Sequence, residues 1–438
     1  MTRRAWWVVL TFALVLAAQW AVARGHADLA VKEEVLAGSP TLHVAAAGEP
    51  RGTVIVLHGP GGSKEMMQHW GYALARLGFD AYIPDLPGHG AHTAPLADPG
   101  GAVARLVEEL VASGRADPDR LALMGRSPAG FSADAGPLPE TAANLLDRAA
   151  QNPLTPLYDG GAVAEAAGQL SLAFGTEPPA PPAPPRTGVW LILGLAGGLG
   201  APLAVAVLVR PDPRKAGRRQ RPVGLLTGLA AVAVSLLSAV LAAVYLRVPR
   251  LGVAALDHLV PYFLVAAAVL LLLRLLWPQE FGAAPAGGGE SVAASLLRGI
   301  AVVLAFLGAV VPVIHQNITY FVPTIPRILP VVAAVLVYGL YAVQVEGLKR
   351  AVSGGPSPAG FLLGLAAKLL MVATWIGAGA LPNPPAFLPA AAPAALAVLV
   401  GAEILSGCLA ALRFSPLSAA LVEAVIIGWT AAVTLPLV

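Results

Sequence analysis

Eight long apolar runs in the C-terminal part of the chain limit its possible folds more than any other feature. Each run is long enough to cross the hydrocarbon core of a bilayer, about 30 Å thick, as a single helix. Only 12% of the 438 residues are charged, whereas soluble chains carry about 25%. We therefore predict an all-α transmembrane domain over residues 188–438, with spans at about 188–209, 223–247, 259–277, 292–314, 326–346, 360–380, 387–411 and 415–437.

A ninth apolar stretch, Trp6–Ala23, follows Arg3 and Arg4. It is either a signal anchor or a signal peptide. Ala21-Val22-Ala23 fits a cleavage site, while the length of the stretch approaches the ~20 residues of a span. We favour the anchor. Both alternatives export the residues that follow.

The positions of lysine and arginine predict the orientation of the spans. The loop after the first of the eight runs carries six basic residues and one acidic residue. Short loops rich in Lys and Arg stay in the cytoplasm, so the segment before this run is expected outside the cytoplasm, on a multi-pass protein of the cell membrane. Arg247 and Arg250 are exceptions, because this orientation places them outside. The weak net charge of +3 gives no indication of nucleic-acid binding.

Residues 24–175 have the mixed composition of a water-soluble domain, and a proline-rich linker at 176–187 separates them from the spans. Short apolar segments alternate there with amphipathic ones, which predicts an α/β fold with a parallel sheet and flanking helices. A hairpin is expected to precede the parallel strands. The expected strands are Val31–Leu36 and Thr41–Ala46 in the hairpin, then Thr53–Leu57, Phe79–Pro84 and Arg120–Met124.

A glycine-containing motif follows each of the last three strands. These motifs are His58–Gly62 (HGPGG), Asp85–Gly90 (DLPGHG) and Gly125–Gly130 (GRSPAG). Parallel strands end at one edge of a sheet, where ligands normally bind. An apolar strand that runs into Gly-x-Ser is typical of a nucleophile elbow, in which a tight turn lifts the serine hydroxyl off the sheet.

These three motifs, in this order after successive strands, resemble the α/β-hydrolase family of serine esterases, lipases and peptidases. The resemblance covers residues 31 to about 150. It implies that Ser127 is a nucleophile and that the HGPGG turn supplies part of an oxyanion hole. It also implies that His58 braces its turn and is not the catalytic base. An active enzyme of this kind would cleave an ester or amide through an acyl-Ser127 intermediate.

The oxyanion hole departs from the family pattern. The amide of the residue after the serine normally donates one hydrogen bond, and a loop amide donates the other. Pro128 and Pro60 occupy these two positions, and proline has no N–H. If the turns shift by one residue, the replacement donors are Gly59, Gly61 and Gly62 in the first loop and Ala129 in the second.

The catalytic triad departs from the family pattern as well. No histidine occurs between Ser127 and the linker, so the later strands and their base look deleted and the domain looks truncated. The replacement base would be His92, which follows a strand of the same edge, or His258, at the extracytoplasmic end of a span. His89 and His315 are further candidates, and Asp134, Asp147 and Asp159 are candidate acids.

Charged residues also occur inside the predicted spans, where they are costly and often functional. Lys368, Glu403 and Glu423 each lie about eight residues, or roughly 12 Å, from the cytoplasmic end of a span. Arg298 lies slightly nearer that side on a fourth span. We expect a buried polar cluster in which Lys368 pairs with Glu403 or Glu423. The cluster would either fix the packing of the helices or form a proton, ion or head-group site.

Two further functions therefore stand beside the serine hydrolase. One is a catalytically inactive hydrolase-like domain with a binding or regulatory role on the membrane bundle, and the other is a transporter with an accessory domain. The lipid bilayer is the expected partner, and it favours lipid or acyl-ester substrates. No cofactor or metal is implied, because the single Cys408 lies in an apolar run and forms no Cys-x-x-Cys motif.

Overall fold

The computed structural model describes residues 2–59, 61–125, 154–180, 187–211, 222–245, 251–281, 290–352, 354–378 and 387–438. Pro60 and residues 126–153, which include Ser127, Pro128 and Ala129, lie outside the described residues. The chain forms two compact units. The sheet unit comprises residues 12–198, 309–325 and 433–438, and the helical unit comprises residues 1–11, 199–308 and 326–432.

The sheet unit contains a five-stranded mixed sheet. After helix α1 (Arg3–Arg24), its elements are β1 (Val31–Leu36), β2 (Ser39–Val44), β3 (Thr53–Leu57), α2 (Lys64–Arg76), β4 (Asp80–Pro84), α3 (Pro99–Ala112) and β5 (Leu121–Gly125). The strand order is β1-β2-β4-β3-β5. Strands β4, β3 and β5 are parallel, as predicted, and the predicted hairpin of β1 and β2 adds two antiparallel strands at one side.

Both faces of the parallel strands are buried, which explains why these strands are continuous apolar runs. Val54 and Val56 of β3 pack with Trp70 of α2 on one face. Ile55 and Leu57 pack with Leu106 of α3 on the other face. Helix α4 (Gly160–Ala173) joins α2 on the first face. The sheet therefore lies between two helical layers, and its loops are held at a defined edge.

The remaining elements are helical. They are α5 (Thr187–Val209), α6 (Leu225–Tyr245), α7 (Leu256–Leu276), α8 (Pro278–Phe281), α9 (Val292–Asn317), α10 (Ile328–Ala351), α11 (Pro358–Ala378), α12 (Phe387–Ala411) and α13 (Pro416–Thr434). Counting α1, nine helices among the described residues are long and apolar enough to cross a membrane. Large apolar side chains such as Leu16, Leu226 and Leu237 are exposed on them, as expected of surfaces that contact lipid.

Within the helical unit, α7 packs between α6 and α10, and α11 packs against α6, α10 and α12. The helix bounds agree with the predicted runs to within a few residues at most ends. The sheet unit includes residues from both sides of the predicted linker, and the proposed domain boundary at residues 176–187 remains a prediction.

Candidate functional site

The loops that follow β3 and β4 are joined by the imidazole of His58, which is completely buried. The amide N–H of Leu86 donates a hydrogen bond to His58 Nε2 at 3.1 Å. Nδ1 therefore carries the proton and donates to the Gly59 carbonyl oxygen at 2.9 Å. Burial lowers the pKa of His58 to about 4, so the ring is neutral at pH 7. Since both nitrogens are engaged, His58 braces the turn, as the resemblance implies.

Asp85, which follows β4, holds the beginning of α2 and the rest of its own loop. Its buried carboxylate accepts hydrogen bonds from the amide of Lys64 at 2.7 Å and from the amide of Ala91 at 2.9 Å. The Lys64 ammonium donates to the same carboxylate at 3.2 Å and to Glu65 at 2.6 Å. Gly90, with φ of +53°, leaves room for the carboxylate, because a Cβ there would overlap it.

Lys64, Glu65 and Asp85, here called the edge triad, are all buried. Burial disfavours the charged form of Lys64, but Asp85 and Glu65 outweigh it and hold the lysine pKa above its ordinary value. Burial, followed by repulsion from Asp85, raises the pKa of Glu65. Burial also raises the pKa of Asp85 against the attraction of Lys64. Carboxyl groups with raised pKa values are common where proton transfer takes place.

The edge triad was missed by the sequence analysis. Lys64 and Glu65 stand in the first turn of a helix, where charged side chains are usually solvated. Their proximity to the HGPGG motif in the sequence was the available signal, but their burial depends on residues distant in the chain. One of these is Tyr320, whose ring lies 5.3 Å from the Lys64 ammonium.

Strand β5 ends beside β3, at the position where the predicted nucleophile elbow begins. Gly125 pairs with Leu57, and a Cβ on Gly125 would overlap the Leu57 carbonyl oxygen. Its φ is +156°. Only glycine fits this approach between the two strands. Ser127 itself, with Pro128 and Ala129, lies outside the described residues, so its contacts are not part of this site's geometry.

The first predicted oxyanion loop forms a closed turn. The amide of Gly62 donates to the carbonyl oxygen of Gly59 at 3.0 Å, so this amide is already engaged. A Cβ on Gly62 would approach both the Gly59 carbonyl oxygen and the His58 Cβ at 3.0 Å. Gly61 adopts φ of +75°. The turn therefore requires small residues, and the amides of Gly59 and Gly61 are the loop donors that remain to be tested.

The candidate histidine bases occupy different places. His92 is half-buried in the loop after β4, where its Nδ1 accepts from the Ala94 amide at 3.1 Å, and burial lowers its pKa. His89, in the same loop, is buried and contacts the Pro87 carbonyl oxygen through Nδ1 at 3.0 Å. His258 belongs to the helical unit, where its Nδ1 contacts the Ala243 carbonyl oxygen at 2.9 Å. The role of base stays a prediction for His92 and His258.

Two further segments of the sheet unit lie on the loops of this edge. The amide of Leu437 donates to the Gly88 carbonyl oxygen at 2.8 Å, and the amide of Leu96 donates to the Leu437 carbonyl oxygen at 2.7 Å. The amide of Tyr320 donates to Ser63 Oγ, also at 2.8 Å. Residues that are distant in the sequence thus contact the loops of this edge.

The helical unit contains the second predicted site. The Lys368 ammonium lies 3.1 Å from Glu403 Oε2 and also contacts Glu423, and all three side chains are buried. Gly364 of α11 makes room for Glu403, because a Cβ there would overlap its carboxylate. The structure thus brings together Lys368, Glu403 and Glu423.

The cluster is larger than the sequence analysis predicted. Lys349, which lies beyond the predicted span 326–346, is buried and contacts Glu346, Glu403 and Ser406. Arg350 contacts Glu346 at 3.5 Å. Arg298 instead contacts Glu290 and is partly exposed. The described cluster therefore contains three cations (Lys349, Arg350 and Lys368) and three carboxylates (Glu346, Glu403 and Glu423).

The sequence profile of a family described as alpha/beta hydrolase fold matches residues 52–131 of the chain. This range includes β3, α2, β4, α3 and β5, and it extends to Ser127. No curated protein sequence matches the chain.

Solved structures that resemble the chain include an esterase mutant, with 25% identity and a TM-score of 0.21 over 23% of this chain and 35% of that one. A Thermus thermophilus protein has 23% identity and a TM-score of 0.20 over 23% and 47% of the two chains. An epoxide hydrolase from Vigna radiata has 20% identity and a TM-score of 0.19 over 23% and 31%. This chain spans less than half the length of each. The profile match and the arrangement of the sheet together establish that the N-terminal region has an α/β-hydrolase fold.

Proposed function

We propose that the sheet unit is a membrane-bound serine hydrolase, exposed outside the cytoplasm, that cleaves an ester or amide through an acyl-Ser127 intermediate. The observation that carries the proposal is the end of β5. Gly125 lies so close to Leu57 that no side chain fits there. Ser127 follows two residues later in the sequence. A serine after such a close approach of two parallel strands has the setting of a nucleophile elbow.

In the proposed reaction, the Ser127 hydroxyl attacks the substrate carbonyl carbon while a histidine accepts its proton. The carbonyl oxygen becomes an oxyanion, which amides of Gly59, Gly61 or Ala129 would stabilise. The histidine then returns the proton to the leaving alcohol or amine, and water hydrolyses the acyl-serine ester. His92 is the preferred base because it belongs to the loop that Asp85 holds at this edge. Its Nδ1 accepts from the Ala94 amide, so this contact must break before Nδ1 can take the serine proton. A lipid or acyl ester is the proposed substrate class.

The test is labelling of isolated membranes with a fluorophosphonate probe, which reacts covalently with activated serines. Wild-type protein is expected to be labelled, and Ser127→Ala is expected to abolish the labelling. Ser113→Ala is the matched control, because Ser113 is an exposed serine of the same unit at the end of α3. The variants His92→Gln and His258→Gln identify the base, since loss of a general base slows such reactions by about 10²–10⁴-fold.

A second function is favoured by the internal contacts of the edge. The Lys64 ammonium contacts both carboxylates of the edge triad, and Leu437 and Tyr320 lie on its loops. These contacts suit a catalytically inactive domain that binds a partner or regulates the membrane bundle. The same experiment distinguishes the two functions. Equal labelling of Ser127→Ala and wild type, or absence of labelling in folded and inserted protein, would overturn the hydrolase proposal.

A further inference from the structure

The sheet unit contains a cavity that is lined by none of the loop residues at the strand ends. Its volume is about 420 Å³. Helix α2 begins at the strand edge with Lys64, and only its later turns line this cavity, through His69, Tyr72 and Arg76. The other walls come from the end of α1, the segment before α4 and the first turn of α5. The volume lies within the range of small-molecule sites, about 300–1,000 Å³.

Three side chains that line the cavity have a buried polar atom without a hydrogen-bond partner among the described residues. These atoms are His26 Nε2, His69 Nδ1 and Thr187 Oγ1. His69 is only 3% exposed and Thr187 only 5%. A buried polar atom without a partner costs about 1–3 kcal/mol. Three such atoms on side chains of one cavity, each closed to solvent in this structure, would gain partners if these side chains turned toward a bound ligand.

The existing contacts assign the chemical role of each atom. Arg76 donates to His26 Nδ1 at 3.4 Å, so Nε2 of the neutral ring carries the proton and is a donor. His69 Nε2 donates to the Asn317 carbonyl oxygen at 2.8 Å, so its Nδ1 is an acceptor. The Thr187 hydroxyl can be either. The ligand must therefore both accept and donate hydrogen bonds, as a hydroxyl group does.

The cavity also selects against charge. Burial, followed by the Arg76 charge, lowers the pKa of His26 to about 3, and burial lowers the pKa of His69. Both rings are therefore neutral at pH 7. Arg76 is paired with Asp28 at 2.9 and 3.0 Å. Apolar side chains, including Leu157, Val163 and Trp190, form the rest of the walls.

The position of the cavity indicates where such a ligand comes from. It lies at the end of α1 and the beginning of α5, two helices that are long and apolar enough to cross a membrane. Trp190 stands in the first turn of α5, and tryptophan favours the level of lipid head groups. We propose that this cavity binds the uncharged, hydroxyl-bearing head group of a glycerolipid, with the acyl chain directed to the bilayer. This inference does not depend on catalysis at Ser127.

The test uses the full-length protein in phosphatidylcholine vesicles with a diazirine-bearing monoacylglycerol as the photoprobe. Cross-links are expected on peptides that contain Tyr72 or Trp190. Unlabelled monooleoylglycerol should compete with the probe, whereas oleate, which is charged, and free glycerol, which has no acyl chain, should compete at least tenfold more weakly. Equal competition by oleate would overturn the neutral site, and equal competition by glycerol would overturn the lipid source.

Two variants keep the shape of the cavity and remove polar atoms from its wall: Thr187→Val removes the hydroxyl oxygen, and His26→Phe removes both ring nitrogens, including the Nδ1 that contacts Arg76. Thr187→Val and His26→Phe are expected to weaken cross-linking by about tenfold each, the equivalent of one hydrogen bond. His43→Phe is the matched control, because His43 stacks on Tyr82 at 4.2 Å as His26 stacks on Tyr72 at 4.1 Å. Cross-linking that is unchanged in both cavity variants, or equally weakened in His43→Phe, would overturn the proposal. Unchanged unfolding temperatures without lipid would show that the variants fold.

Discussion

At the scale of single residues, the loops after β3 and β4 meet on the imidazole of His58. The ring is neutral and accepts a hydrogen bond from Leu86. A proton on Nε2 would remove that acceptor and place a charge in a fully buried position. The pKa of His58 therefore sets the pH at which the hydrogen bond between the two loops is lost.

We predict that acid weakens the sheet unit through His58. The unfolded ring binds a proton near its ordinary pKa of 6.5, and the folded ring does so only near a pKa of about 4. Between these values the unfolded state holds more protons, so stability rises with pH. The contribution of His58 should fall by about 2 kcal/mol from pH 7 to pH 5. Unfolding of wild type and His58→Gln in detergent, followed at both pH values, measures this contribution.

The glutamine variant isolates the effect, because its amide oxygen can accept from Leu86 and does not titrate. His26 and His69 also have lowered pKa values, but they are common to both proteins and cancel in the difference. The gap in unfolding free energy between the two proteins should narrow as the pH falls. A constant gap would contradict the prediction.

The bracing role of His58 was implied by the resemblance to a known family, whereas the edge triad was implied neither by that resemblance nor by a sequence pattern. A motif describes residues that are neighbours in the sequence, and HGPGG contains the histidine and its turn together. Lys64 instead contacts Asp85 and Tyr320, which are not its neighbours in the sequence. Whether a charged side chain is buried depends on the residues that pack over it. Those residues are distant in the sequence and do not recur at a regular spacing, so no sequence pattern reveals them.

At the scale of elements, the buried charges of the helical unit join four helices, α10, α11, α12 and α13. Lys368 of α11 contacts carboxylates of two other helices. Charged groups in such a place stabilise packing only while each has its partner, because an unpaired buried charge is costly. Loss of one charge from the cluster is therefore expected to weaken the packing of these four helices against one another.

We predict that Lys368→Met destabilises the protein by about 3–5 kcal/mol, since it leaves Glu423 buried without the ammonium that it contacts. The double variant Lys368→Met with Glu423→Gln should lose much less than the sum of the single variants. Thermal unfolding in detergent micelles gives both quantities.

Arg298→Met is the control for this cycle, because its ion pair with Glu290 is partly exposed. Exposed pairs contribute at most about 1 kcal/mol. Additive losses in the Lys368 and Glu423 variants would show that the two groups act separately and would contradict a functional or structural pair.

The distance of each charged residue from the cytoplasmic end of its predicted span was sufficient to identify Lys368, Glu403 and Glu423 as members of one cluster. The same reasoning left out Lys349 because this residue lies beyond the predicted span 326–346. The helix in fact continues to Ala351 and carries Lys349 inward beside Glu346, one turn earlier. Depth alone also grouped Arg298 with the cluster, since it gives no information on which side of a helix a residue faces.

At the scale of the whole molecule, the helices fit a multi-pass membrane protein, and the basic loop after α5 predicts its orientation. We predict that a cysteine at Lys32 reacts with a membrane-impermeant maleimide in intact cells. A cysteine at Arg214 should react only after permeabilisation. Lys32 is a suitable site because its side chain is 65% exposed on β1. Cys408→Ala serves as the background for both variants, and the reverse pattern would invert the topology.

Hydropathy was sufficient to locate the nine apolar helices found among the described residues, because span length and composition are local properties. Hydropathy gave no indication that the sheet unit includes residues 309–325 and 433–438. The contacts of residues 433–438 include pairs of backbone groups, such as the amide of Leu437 and the carbonyl oxygen of Gly88. Every residue carries such groups, so no side-chain pattern reveals them.

The pairing of Leu437 with the loop after β4 has a consequence for biosynthesis. Domains usually fold as they emerge from the ribosome, beginning at the N-terminus. Here the strands of the sheet emerge early, but the segment that pairs with Gly88 and Leu96 follows the nine apolar helices of the described residues in the sequence. The hydrogen bonds between this segment and the loop therefore cannot form until those helices have been synthesised. The proposed catalytic edge would be completed only after the membrane helices.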